Sequence, residues 1–209
     1  MKNIKFLKVG VIISLLLFLY SNVFAQSYIL SDDGLIDTRA KEKILQIGEE
    51  VKSKLGVNIY LYVKGSLGLD PTISTKEKIA YIKDYEADIL KTLSNPYVIL
   101  TVALEETHVN LYFSDSLKDF LDKNDILDGY VVPLLASKDK NTLPAKISAA
   151  SLNGYAAIAD ILAEKQNIEL VSSIGSSGKV SSTIWRVFMY FIIVTGLLAY
   201  IYAVLRKRK

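Results

Sequence analysis

Apolar residues recur at Ala40, Ile44, Ile47, Val51 and Leu55, a helical spacing that ends at Gly56 and predicts one amphipathic helix opening near Asp37 or Thr38. Val57, Ile59, Leu61 and Val63 then alternate with Asn58, Tyr60, Tyr62 and Lys64. That period of two predicts a strand whose faces meet different surroundings. Ser74 and Glu77 form a capping box for a second helix with Ile79, Ile82, Ile89 and Leu93 along one side, closed by Asn95-Pro96. Residues 97–104 are nearly all apolar or β-branched, as in a central strand covered on both faces. A short turn leads to the alternating residues 108–113, an antiparallel neighbour nearer the edge. After a short acidic helix or loop and an apolar segment over 130–135, a last helix is expected over 143–165, with Thr142 as N-cap and Pro144 in its first turn. One strand-helix-strand crossover plus one hairpin implies an α/β domain: a small mixed sheet with helices on both faces.

The two ends of the chain have a different pattern. Lys2, Lys5 and Lys8 precede an apolar run over residues 9–20, and Val23-Phe24-Ala25 places small residues before a cut, so residues 1–25 read as a secretory signal peptide. Residues 187–205 are nineteen without a charge, with Trp185 and Tyr202 near the two ends and Arg206-Lys207-Arg208-Lys209 immediately after. This predicts one transmembrane helix over 184–205 with a basic cytoplasmic tail at 206–209. Between the domain, taken as 26–168, and that span lies a Gly/Ser-rich stretch, 169–183, read as a tether with a root-mean-square reach of roughly 20 Å. The expected placement is therefore the cytoplasmic (inner) membrane, single-pass, with the domain periplasmic or extracellular.

Setting the ends aside reverses the charge. The whole chain carries 25 Lys+Arg against 22 Asp+Glu, yet every acidic residue lies in the exported part, which is acidic overall. A nucleic-acid partner is not expected, because it would want a basic face on the folded domain. The absence of cysteine excludes disulfide scaffolds and cysteine nucleophiles. Gly175 to Lys179 lacks the spacing of a phosphate-binding loop, and no organic cofactor is implied.

Candidate chemistry concentrates after the hairpin. Asp115, Asp119, Asp122, Asn124, Asp125 and Asp128 fall within fourteen positions, and clustered carboxylates suit a hard divalent ion such as Ca²⁺ or Mg²⁺. Asp115, Asp119, Asp122 and Asp125 are the candidate ligands; the competing reading is an exposed acidic helix start. Asp32 and Asp33 form a second acidic group, with turn formation and capping as the simpler reading. His108 is the single imidazole, sits just past the hairpin turn without a nucleophile elbow, and is read as an edge-strand residue.

Asp33-Gly34-Leu35-Ile36 before the first helix, the run 55–60 into the first strand, and 98–113 with its Ala103-Leu104-Glu105 hairpin together resemble the TPM domain family, over about residues 28–166. That family includes exported bacterial proteins with a C-terminal membrane helix and thylakoid-lumen phosphatase-like proteins. The resemblance implies an αβα sandwich and, in different members, acid phosphatase activity, calcium binding or assistance to membrane complexes. The family motifs flanking the hairpin are replaced here by Lys91-Thr92-Leu93-Ser94, Asn95-Pro96-Tyr97 and residues 114–119. Antiparallel pairing places the start of the central strand and the end of its neighbour at one rim of the sheet, so any site there is rebuilt. The resulting expectation is a membrane-anchored accessory or binding domain acting on a membrane-associated protein or complex, with divalent-cation dependence expected through the acidic cluster. The alternative is a metal-assisted acid phosphatase of the TPM type.

Overall fold

The computed structural model describes residues 27–70, 72–175, 190–192 and 194–195. The expected signal peptide, the basic tail, and most of the expected tether and membrane span lie outside the described residues. Among those described, no helix is long and apolar enough to cross a membrane.

The elements follow as β1 (Ile29–Ser31), α1 (Thr38–Leu55), β2 (Asn58–Lys64), α2 (Thr75–Leu90), β3 (Tyr97–Ala103) and β4 (His108–Phe113). A one-turn helix at Asp115–Leu117, α3 (Lys123–Ile126), a wide turn at Leu127–Val131, α4 (Val132–Leu135) and the long α5 (Leu143–Lys165) complete the body. The strands form one sheet in the order β1-β2-β3-β4. β1 and β3 both run parallel to β2, and β4 is antiparallel to β3, giving the mixed sheet that the connectivity implies.

Alternation along the strands sorts the sheet into two faces. Ile59, Leu61, Val63, Val98, Leu100, Val102 and Leu111 point to one side and join α1 and α5 in the apolar core. Asp37 caps α1 by accepting from Ala40 N at 3.0 Å, and Gly56 ends it at φ 71°, a left-handed turn that glycine adopts without strain. α1 and α5 approach closely at Gly48, where an added Cβ would lie 2.5 Å from Tyr155 Oη and 2.7 Å from the Tyr28 ring. The Tyr155 hydroxyl, fully buried there, donates to Ile59 O at 2.8 Å.

The opposite face carries Asn58, Tyr62, Thr101, His108, Asn110 and Tyr112, and among the described residues α2 is the helix that covers it. α2 buries two residues, Ile82 and Glu86. The layers are therefore unequal: burial of apolar surface holds one, and polar side chains hold the other.

Residues 169–175, the first part of the stretch read as tether, lie on the helical layer. Leu170 is 2% exposed. Val171 N and Ser172 N donate to the Glu50 carboxylate at 2.9 and 2.7 Å, Ser172 Oγ also donates to it, and Lys54 Nζ donates to Glu169 O at 2.8 Å. Leucine at position 170 gives this segment an apolar anchor that the flanking Ser and Gly conceal in the sequence pattern.

Candidate functional site

Two places on the polar side of the molecule concentrate chemistry. The first lies beneath α2. Ser74 and Glu77 cap that helix reciprocally, fixing its start. Glu86 stands one turn after Ile82 and so points to the sheet with it. Register places its partners in adjacent rows, with Ile99 opposite Tyr112, Thr101 opposite Asn110 and Ala103 opposite His108. Thr101 Oγ1 and His108 Nε2 lie 2.5 and 2.9 Å from Glu86 Oε1, while Asn110 Nδ2 and Tyr112 Oη lie 3.0 and 2.9 Å from Oε2. Each carboxylate oxygen thus takes two donors.

Burial pushes the Glu86 carboxyl up, but hydrogen bonds from His108, Thr101 and Asn110 outweigh it and hold the group below the usual glutamate range. Burial and the neighbouring carboxylate push Tyr112 up to about 12, so it remains a donor at neutral pH. Facing a carboxylate, which only accepts, His108 Nε2 is the donor of its pair. The Tyr62 and Tyr85 hydroxyls form a second link from β2 to α2, and Tyr81 stacks on Tyr85 with centroids 6.2 Å apart. A carboxylate saturated in this way attaches the helix to the sheet and fixes its rotation.

The second place is the rim where β3 starts and β4 ends. Tyr97 N donates to Ser114 Oγ at 3.1 Å and Ser114 N to Tyr97 O at 3.0 Å, joining the two chain ends. Asn58, wholly buried at the start of β2, donates through Nδ2 to Ser94 O at 2.8 Å and Pro96 O at 3.2 Å, and its backbone N–H reaches Pro96 O at 2.9 Å. These bonds hold the 94–97 stretch to the start of β2 and to Ser114. An open cleft of about 730 Å³ lies at this rim, with Leu90, Leu93 and Pro96 as apolar wall and Asn95, Tyr97 and Ser116 among its polar lining.

The expected metal ligands are distributed around this rim. Asp115 is exposed at the cleft and pairs with Lys118 at 2.9 Å. Asp122 caps α3, accepting from Asn124 N at 2.8 Å and Asp125 N at 3.1 Å. Asp119, Asp125 and Asp128 are exposed. In the other acidic group, Asp32 takes an ion pair from Lys41 and a bond from Gly34 N at 3.3 Å. Asp33 accepts from Lys64 Nζ at 2.9 Å and Gly65 N at 3.1 Å, which hold its carboxyl below the usual range. Among the described residues, no group of three or more His, Cys, Asp or Glu side chains is arranged to hold a metal ion.

His108 does lie on the edge strand, as its position implies. Its bond to Glu86 was not anticipated from the sequence. A signal was present: Glu86 interrupts the apolar face of α2 between Ile82 and Ile89, while Thr101, His108, Asn110 and Tyr112 alternate on paired strands.

No family model matches the chain, and no curated protein does. Among solved structures it is similar to the N-terminal domain of a protein from P. gingivalis, with TM-score 0.51 and 14% identity over 71% of this chain and 89% of that one. It is also similar to a protein of the psychrophilic bacterium Bizionia argentinensis, with TM-score 0.44 and 13% identity over 69% of this chain and 97% of that one. With the P. gingivalis domain, this chain shares a fold.

Proposed function

We propose that this protein is a membrane-anchored binding domain, displayed on the outer side of the cytoplasmic membrane, that engages a membrane-associated protein or complex through the rim cleft. The cleft carries the reading. It combines an apolar wall with amide, phenol and hydroxyl groups and with the charged Lys91 and Asp115, in the size range of ligand-binding clefts. The Asn58 clasp and the Tyr97–Ser114 pair form its frame. Its lining falls at the positions where the chain departs from the TPM pattern, which suits a partner of its own. The uncharged run 187–205 and the cations after it supply the anchor and its orientation.

The test is photocrosslinking in native membranes from a photoreactive residue at Ser116, with Gln46 on the exposed side of α1 as control. A discrete protein adduct from position 116, absent from position 46, is expected. Adducts that are equally sparse or equally diffuse at both positions would overturn the assignment. Phosphomonoester turnover abolished by Asp115→Ala would instead favour the hydrolytic alternative.

A further inference from the structure

Docking of residues 169–175 bears on how the domain sits at the membrane, an inference that rests on the anchored reading above. Glu50 of α1 receives Val171 N, Ser172 N and Ser172 Oγ, and Lys54 Nζ lies 2.7 Å from Glu50 Oε1. Asp160 of α5 accepts from Ser173 Oγ, and an added Cβ at Gly175 would collide with the Asp160 carboxylate. Leu170 is buried in the core cluster. The segment is therefore a strap fastened to both helices of one layer. It also displays apolar side chains outward: Val171 is 86% exposed and Ile174 45% exposed.

Two quantities give this display a partner. Only residues 176–183 separate the strap from the expected span, and a Gly/Ser-rich chain of that length reaches about 16 Å. That is shorter than the roughly 37 Å diameter of a compact domain this size. The side of the domain from which the chain departs is thus kept nearest the bilayer. Apolar side chains held there meet the headgroup region, where their burial is favourable.

We propose that the strap turns the α1/α5 layer toward the bilayer, with Val171 and Ile174 in the headgroup region. α2 then faces away from the membrane, and the rim cleft opens sideways along it. A partner diffusing in the same membrane meets the cleft edge-on.

The chain has no cysteine, so single labels report cleanly. Residues 26–209 carrying Val171→Cys, Gln46→Cys or Tyr81→Cys, each with a bimane, are reconstituted into phosphatidylcholine vesicles containing headgroup spin-labelled lipid. Flotation is measured first. Protein that does not float with the vesicles refutes the anchored reading itself and the orientation with it. For floating protein, quenching several-fold stronger at 171 than at 81, with 46 between them, is expected. Equal quenching at 46 and 81 overturns the orientation while leaving the anchor intact. In Glu50→Gln, and in the milder Ser172→Ala, the difference between 46 and 81 should collapse. Its persistence in both variants would show that the strap does not set the orientation.

Discussion

Replacing Glu86 with alanine removes the acceptor that four side chains on the sheet share. Two of those donors, His108 and Tyr112, are partly exposed and can turn to water. Thr101 keeps only a 3.4 Å contact with Asn110 O, and Asn110 Nδ2 loses its acceptor in a buried position. A buried donor left unpaired costs about 1–3 kcal/mol, so two such groups, one partly compensated, put the loss near 3 kcal/mol. This is a large share of the 5–15 kcal/mol typical of a whole domain. Urea unfolding of residues 26–175 measures the total, and amide exchange measured element by element locates it. Exchange should accelerate in α2 far more than in α1, because α2 buries only Ile82 besides Glu86. A loss under about 0.5 kcal/mol, the range of ordinary surface substitutions, would refute the reasoning. So would a large loss that leaves α2 exchange unchanged. The pH dependence has a definite sign. The folded Glu86 carboxyl lies below its ordinary value, so its stabilisation is complete above about pH 4.3 and is lost as pH falls through the lower folded value. Wild type and Glu86→Gln should therefore converge in acid.

Other expectations follow from the packing and the strap. Gly48→Ala should cost about 1–3 kcal/mol, because the new Cβ meets Tyr155 Oη and the Tyr28 ring. Tyr155→Phe should cost about 1 kcal/mol through the lost bond to Ile59 O. The double variant should lose less than the sum, as a cycle of unfolding measurements would show. Burial raises the Glu50 carboxyl, but Lys54, Ser172 and Val171 carry it down to about 2. The strap should accordingly stay protease-resistant at neutral pH and through mild acid, loosening only as pH falls well below 4, whereas Glu50→Gln should be clipped after residue 168 at neutral pH. Millimolar calcium should leave Tm unmoved, since Asp122 is engaged as a helix cap and Asp115 pairs with Lys118. A rise of several degrees would show that the acidic segment rearranges around the ion.

Much of the architecture was legible because local signals agreed with tertiary demand. The Ser74–Glu77 box, the Asp37 and Thr142 caps, Gly56, and the alternation in β2 and β4 all stand where the pattern puts them. The three residues of β1 are too few to show a period, and their pairing depends on β2 being beside them. On α2 the apolar spacing suggested a buried Ile79, yet that residue is exposed and Glu86 is buried. A carboxylate goes inside only when donors on other strands meet it, and single-sequence periodicity does not register such pairing. The rim was legible as a place, since hairpin topology fixes which chain ends coincide. Its cleft was not, because the shape depends on Asn58, a residue distant in sequence whose side chain reaches the loop carbonyls.

The Asn58 clasp separates what shapes the cleft from what colours it. Loop carbonyls at 94 and 96 are gripped from below, and Tyr97 and Ser114 secure one another, so the frame is built largely from backbone groups. Side chains at 93, 95 and 116 face the opening from that frame. Changing them repaints the surface without redrawing its outline, so related chains could greet different partners from the same doorway.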